Sequence, residues 1–425
     1  MPITALGFLA VFFVGCLVAL KRPFVGLLLY FFVFYMHPPG KYWGAYLPEL
    51  RWTFIVAIIT FLSTLAHEKN KGRWIQSSTS KYIIAFLTFV VVQLPFAISF
   101  SWHKEYLVLL VKIVLLYFLV VTIVNTNKRL IWVIVTNVIG AGYIGLNALQ
   151  THTRGRFENA GLPSIEDSNL LSIHLIPIVI MGAFLFLSGY FKKKGFLLFI
   201  PIAFVGNLII MTGSRGALGG LAVAGLVALL VATKDYRKRL TLWAAAAIVA
   251  ISFLSIDLIV ERFEAMMVDE EGQVQEKSAA SRMVIINAQI EMFKSYLIMG
   301  GGHRTTLLLS PIYIPPEYLT QTAIGGVRGS HNLTMSILAD HGIVGGFLYA
   351  MIIVSALLAA RRLIVNRQNE DIVRLLALGL FAGYVGVFAA SQFSNSKVME
   401  ISFWLFAFIT ALSLNNTNDN KEKAL

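Results

Sequence analysis

Residues 333–360 read LTMSILADHGIVGGFLYAMIIVSALLAA, and GSHN at 329–332 leads into them. Asp340 and His341 are the only acidic or imidazole side chains in this run, and no lysine or arginine interrupts it. It is long enough as a helix to cross a hydrocarbon core of about 30 Å, which takes roughly 20 residues. Such a segment decides the fold class, because a lipid-exposed backbone must satisfy its own hydrogen bonds. Comparable apolar runs recur at 3–20, 23–36, 52–66, 82–100, 106–124, 131–149, 169–190, 196–213, 215–232, 240–257, 373–393 and 399–414. The pattern predicts an all-α polytopic membrane protein with about 12–13 transmembrane helices.

Composition agrees. Of 425 residues, 57% are hydrophobic and only 13% charged, and the mean hydropathy is +0.74, too apolar for a soluble multidomain chain. The net charge of +13 is read as loops lying beside anionic lipid, not as a nucleic-acid footprint, because no basic patch interleaved with aromatics stands outside the loops. The single cysteine, Cys16, allows neither an internal disulfide nor a cysteine-based zinc site. Lys21 and Arg22 follow the first run and none precedes it, so that run is expected as a span and not as a signal peptide.

Basic residues then orient the chain. Lys21 and Arg22, Lys69 to Lys81, Lys128 and Arg129, Lys192 to Lys194, Lys234 to Arg239, Arg361 to Arg374, and Lys421 and Lys423 fall on alternate loops and include more than half of the 35 Lys and Arg. These loops are expected to be cytoplasmic, with the C-terminus inside and the GSHN stretch outside. No internal repeat is visible. The chain divides into N-terminal helices at 1–150, helices with arginine-bearing outer turns at 151–257, a large external loop at 258–332, and C-terminal helices with a short tail at 333–425. A loop of that length is expected to be functional.

Four outer stretches carry polar groups. RGRFENAGLPSIEDSN at 154–169 supplies Arg154, Arg156, Glu158, Asp167 and Asn169, with Asp167 or Ser168 able to cap the next helix. MTGSRGALGG at 211–220 puts Arg215 in a tight turn where Ser214 can cap the following span. Arg215 snorkelling to headgroups is the bland reading; the geometry better supports a phosphate site, a helix N-terminus beside a guanidinium with Gly213 and Gly216 allowing close backbone approach. SRMVIINAQIEMFKSYLIMGGG at 281–302 reads as an amphipathic helix ended by Gly300 to Gly302, with Ile286, Ile290, Phe293 and Leu297 as its apolar stripe and Arg282 at the head of that stripe. At 330–332, Ser330 is expected to cap the eleventh span, leaving His331 and Asn332 in its first turn, where a helix N-terminus favours the neutral imidazole. Deeper in that span, Asp340 and His341 are expected to play a hydrogen-bonding, supporting part. Lys112, inside a span, is expected to be a functional or bundle-interior residue. VDEEG at 268–272 lacks metal-ligand spacing and reads as a solvated turn; no metal and no cofactor is expected.

Separated outer arginines beside helix N-termini fit a ligand with several phosphate oxygens, and the span count points to a lipid pyrophosphate. Positive charge aimed at it would stabilise its departure from a sugar, and a neutral histidine could deprotonate an incoming hydroxyl. No glycine-rich nucleotide loop or Asp-x-Asp motif is present.

The stretches TGSRGALGGLAVAGLVALL, SRMVIINAQIEMFKSYLIMGGG and SHNLTMSILADHGIVGGFLY, in this order, resemble the motifs of the bacterial O-antigen ligase and O-antigen polymerase superfamily, and RFENAGLPSIEDSNLLSIHL resembles its preceding segment. FYMHPPGKYWGAYLPELRW further resembles the O-glycosylation ligases of exosortase-associated systems. The resemblance implies a metal-independent glycosyltransferase of C-type architecture in the bacterial inner membrane. Its donor would be an undecaprenyl-pyrophosphate-linked glycan and its acceptor a hydroxyl on lipid A core or protein. It implies His331 as catalytic residue and Arg215, Arg282 and, more loosely, Arg156 at the pyrophosphate; from their places beside these residues, Ser214, Asn169, Asn332 and Asp340 are candidates for support. Asp340 stands where a glutamate is common, and GGGHRTT where an aromatic often follows the glycines. A polymerase acting on a second lipid-linked repeat is the alternative, and a lipid-linked oligosaccharide transporter is the alternative of another class.

Overall fold

The computed structural model describes residues 1–152, 155–242, 274–322 and 325–422. Helices α1 (Ile3–Ala19), α2 (Pro23–Met36), α3 (Trp52–His67), α4 (Ser78–Gln93), α5 (Phe100–Ile123), α6 (Asn127–Thr151), α7 (Ser168–Leu187), α8 (Phe199–Met211) and α9 (Arg215–Val231) follow one another through short connections. After them come α10 (Val274–Ser295) and α11 (Thr305–Tyr313), a small antiparallel pair β1 (Thr320–Thr322) and β2 (Gly325–Val327), then α12 (Leu333–Val365), α13 (Asp371–Ala390) and α14 (Ile401–Glu422). The chain is an all-α polytopic membrane protein. Among the described residues seven helices are long and apolar enough to cross a membrane, and Ile3–Ala19, Trp52–His67, Arg215–Val231 and Ile401–Thr417 are shorter apolar helices. Every predicted run except 240–257 coincides with a helix; that run, apart from its first residues, and Arg154 and the VDEEG turn lie outside the described residues.

Helix starts follow local chemistry. Ser77, Ser99, Thr126, Asp167, Ser214 and Asn332 each cap a helix by accepting a backbone N–H from its first turn, an interaction worth about 1 kcal/mol. Small residues then let helices approach closely, as packing in a membrane requires. A side chain at Gly220 would meet the Gly386 carbonyl at 2.6 Å, which ties α9 to α13, and one at Gly145 would meet the Phe204 carbonyl at 2.3 Å, which ties α6 to α8.

Contacts between loops sort them into two ends. Ser63 donates to the Leu20 carbonyl, Arg129 pairs with Glu68, and Arg374 donates to Thr233 at one end. Lys41 donates to the Ala160 carbonyl, the Phe157 amide to Met211, and the Ile98 amide to Gly301 at the other. The basic loops share the first end; GSHN and the external-loop helix share the second. Lys112 departs from its expected interior position: α5 buries Tyr106, Leu110, Ile113 and Tyr117, and Lys112 falls on the opposite, exposed face.

The helix α12 is broken. Gly342 has φ 62° and ψ −164°, and the segment Leu297–Gly302 lies against the break. Ile343 and Val344 donate to the carbonyls of Leu297 and Ile298, while Gly301 and Gly302 donate to those of Ala339 and Asp340. The freed backbone groups are thus satisfied within protein, the condition for irregular backbone in a membrane protein.

Candidate functional site

His331 is exposed and immediately precedes α12. The sequence suggested Ser330 as cap, but Asn332 occupies that position: its backbone is extended and its side chain accepts the Met335 amide at 2.9 Å. The imidazole therefore lies outside the helix, one residue before its cap, and not in its first turn. Asn332 also donates to the Gln392 carbonyl at 3.2 Å, and Leu333 to the Ser391 carbonyl at 2.9 Å, which anchors this helix start to the end of α13. Ser330 instead accepts from the Asn332 amide and from Gln289 of α10 at 2.8 Å. Gln289 also reaches Thr306, so one buried amide holds the external loop against the residue before His331.

The imidazole's pKa is lowered, first by the partial loss of water from around it and then by the positive charges of Arg328 and Arg282; Asp167 opposes them. Two arginines and a carboxylate from three separate segments thus lie within electrostatic reach of His331. The neutral form is favoured by desolvation first and by the two arginines second, against Asp167. Arg328 had not been singled out. It sits at the foot of the β1–β2 hairpin, its amide donating to Ser310 and its guanidinium to Thr320. Its position three residues before His331 was the available signal.

Arg282 lies over the Phe393 ring at 6.0 Å. The same phenylalanine packs on Gly216, where an added side chain would meet it at 3.0 Å. Arg282 and Gly216, the residue after the exposed Arg215 that begins α9, therefore share Phe393 as a neighbour. Ser214 caps α9 by accepting the Ala217 amide.

Arg156 is engaged differently. It donates to the Thr212 carbonyl at 2.7 Å and to Asn169 at 2.8 Å, with Glu158 at 3.7 Å. Its guanidinium braces the loop before α7 against the turn that carries Ser214 and Arg215. Asp167 caps α7 through the Leu170 amide.

Asp340 belongs to a second, buried cluster about 12 Å farther along the chain at helical rise. It pairs with Lys397 and accepts the Thr305 amide at 2.9 Å and the Arg304 amide at 3.3 Å. Lys397 also lies over the Tyr106 ring at 4.9 Å, and His341 bonds Gln93 at 2.8 Å. This cluster fastens α11 and the 391–400 turn to α12. Among the described residues no group of three or more His, Cys, Asp or Glu side chains is arranged to hold a metal ion.

Fold and cluster define a polytopic helical membrane protein with cationic side chains gathered about an exposed imidazole at one end of the bundle. Residues 196–350 match the family model described as O-antigen ligase. The matched region contains Ser214, Arg215, Arg282, Arg328, His331, Asn332 and Asp340, and the match supports the O-antigen ligase superfamily. It supports a membrane glycosyltransferase of ligase or polymerase type in general. No curated protein matches the chain.

Proposed function

We propose that this protein transfers a glycan from undecaprenyl pyrophosphate to a hydroxyl acceptor at the outer face of the bacterial inner membrane, as an O-antigen ligase or O-glycosylation ligase does. The carrying observation is the convergence of Arg282, Arg328 and Asp167 on His331. In this reading the neutral imidazole takes the proton of the acceptor hydroxyl as its oxygen bonds the anomeric carbon. The bond from that carbon to the pyrophosphate breaks in the same displacement, with inversion. Arg215 and Arg282 neutralise the charge left on the departing lipid pyrophosphate, and Arg328 joins them.

Arg156 has its Nε and Nη2 donors committed to protein, which favours a positioning role for the Arg215 turn over direct contact with phosphate. Asn169 receives it, Ser214 and Asn332 hold the two helix starts, and Asp340 acts at a distance by holding the loop. The external loop at 258–332 and the arginine-bearing turns of 151–257 are accordingly the functional regions, between the helices of 1–150 and 333–425. The acceptor is lipid A core or protein; a second lipid-linked repeat, as for a polymerase, is the competing acceptor.

The test supplies purified protein in lipid nanodiscs with an undecaprenyl-pyrophosphate oligosaccharide and each acceptor class in turn. Released lipid pyrophosphate and glycosylated acceptor are measured. Transfer is expected with wild type and lost with Arg215→Ala and His331→Ala. Full transfer by both variants would remove the assigned mechanism.

A further inference from the structure

At the opposite end of the bundle from His331, a cavity of about 680 Å³ opens between the first turn of α2, the end of α3 and the residues after it, the end of α5 and the first turn of α6. Lys21, Arg22, Lys69, Arg73 and Arg129 line it, and Glu68 is the one acidic residue among its lining groups. That carboxylate is already paired with Arg129 at 3.2 Å. The lining therefore holds positive charge beyond what its own acid neutralises. Arg73 is buried, donating to the carbonyls of Val121, Val124 and Ala411, and burial lowers its pKa to about 10 in spite of Glu68. A cation held in this way is stabilised by any further anion that approaches it.

Two independent features point into the same space. The Thr122 side chain is 2% exposed, lines the cavity, and its hydroxyl has no hydrogen-bond partner among the described residues. A buried hydroxyl left unpaired is costly, so the site calls for a ligand oxygen. The N-terminus of α2 also faces the cavity through Arg22, Pro23, Phe24 and Val25, and no side chain caps it. A helix N-terminus without its own cap favours an anion. On the helices that lead to the lining residues Lys21 and His67, Leu20 and Leu65 are exposed, with Leu17 and Leu62 one turn back, and Ser63 holds the ends of α1 and α3 together. An apolar wall beside a cationic cavity suits a headgroup whose acyl chains run down the outside of the bundle.

We propose that this cavity binds the phosphate of an anionic phospholipid headgroup, with Lys21, Arg22 and the Thr122 hydroxyl as its principal contacts. Basic pockets between transmembrane helices on the cytoplasmic side are suited to such headgroups. The site is separate from the glycan-transfer reading and stands or falls without it.

Delipidated full-length protein in detergent is titrated with phosphatidylglycerol, phosphatidylcholine or inorganic phosphate, with bound species counted by native mass spectrometry. Phosphatidylglycerol is expected to bind at least tenfold tighter than phosphatidylcholine. The double variant Lys21→Gln/Arg22→Gln and the single variant Thr122→Val are each expected to weaken it severalfold or more. The charge-matched double variant Lys192→Gln/Lys193→Gln, on another loop of the same end, is expected to leave it unchanged. Equal binding of the two lipids, or an equal loss in the Lys192/Lys193 control, overturns the site. Binding of inorganic phosphate as tight as that of phosphatidylglycerol overturns the lipid source and makes it a soluble-phosphate site.

Discussion

At the scale of the residue, the decisive property is the protonation of His331. Desolvation, Arg328 and Arg282 lower its pKa and Asp167 raises it, so the ring is neutral at neutral pH and gains its proton at a lower pH than an ordinary histidine. Transfer should therefore be constant at neutral pH and fall on acidification, with a midpoint below about 6.5. Removing a cation that disfavours the imidazolium raises the pKa. Arg328→Gln should accordingly move the acid limb to higher pH, whereas Asp167→Asn should move it lower. A pH–rate profile for each variant checks both signs, and a shift in the same direction for the two would contradict the electrostatic account. His331→Ala should reduce turnover by about 10²–10⁴-fold, the range for loss of a general base. Arg215 and His331 were legible as residues beside helix starts; Arg282 is expected at the head of its helix, yet α10 begins at Val274 and carries it in the interior. Arg328, three residues before His331, was not legible because it precedes no predicted helix start; its place is fixed by the hairpin, through Thr320, and by Ser310. The cap was misassigned because Ser330 and Asn332 are both good caps, and the choice is made by the 391–392 turn that binds Asn332 and Leu333.

At the scale of the element, the external-loop helix and the break in α12 are the informative cases. The sequence put Ile286, Ile290, Phe293 and Leu297 on the packed face, yet Ile285, Ala288, Gln289 and Met292 are the buried residues and Leu297 is exposed. Helix α10 carries apolar groups on more than one face, so periodicity alone does not select one. Gln289 makes the selection, through Thr306 and Ser330. The break at Gly342 depends on backbone. An alanine there would carry φ 62° and bring its side chain to 2.4 Å from the Ile298 carbonyl. Gly342→Ala should cost at least about 1–3 kcal/mol in backbone strain alone, seen as a lower unfolding midpoint in detergent. Beside the break, Lys397→Met would leave Asp340 buried without its ammonium partner, a change worth about 3–5 kcal/mol. Adding Asp340→Asn removes the unpaired charge and keeps an acceptor for the Thr305 amide, so the double variant should recover most of the loss. A double variant no more stable than Lys397→Met alone would mean that the pair does not act as a unit.

At the scale of the whole molecule, the alternation of basic loops and the contacts between loops are independent observations that agree. Charge sorts the connections by sequence, and contacts such as Lys41 with Ala160 and Arg129 with Glu68 sort them by geometry into the same two sets. The fold was legible because a span is written in its own residues, through length and apolarity. The relation between remote loops is written in none of them. The sign of the charge then orients the bundle: the end bearing Lys192 to Lys194 should face the cytoplasm, and the end bearing His331 the outside. With Cys16 replaced by alanine, Tyr46→Cys and Lys193→Cys place single thiols on exposed residues at opposite ends. A membrane-impermeant maleimide added to spheroplasts should label Tyr46→Cys at once and Lys193→Cys only after lysis. The reverse pattern would turn His331 and its arginines toward the cytoplasm, where a glycan already displayed outside cannot reach them. The proposed function then fails, because its chemistry depends on donor, acceptor and base sharing one side of the membrane.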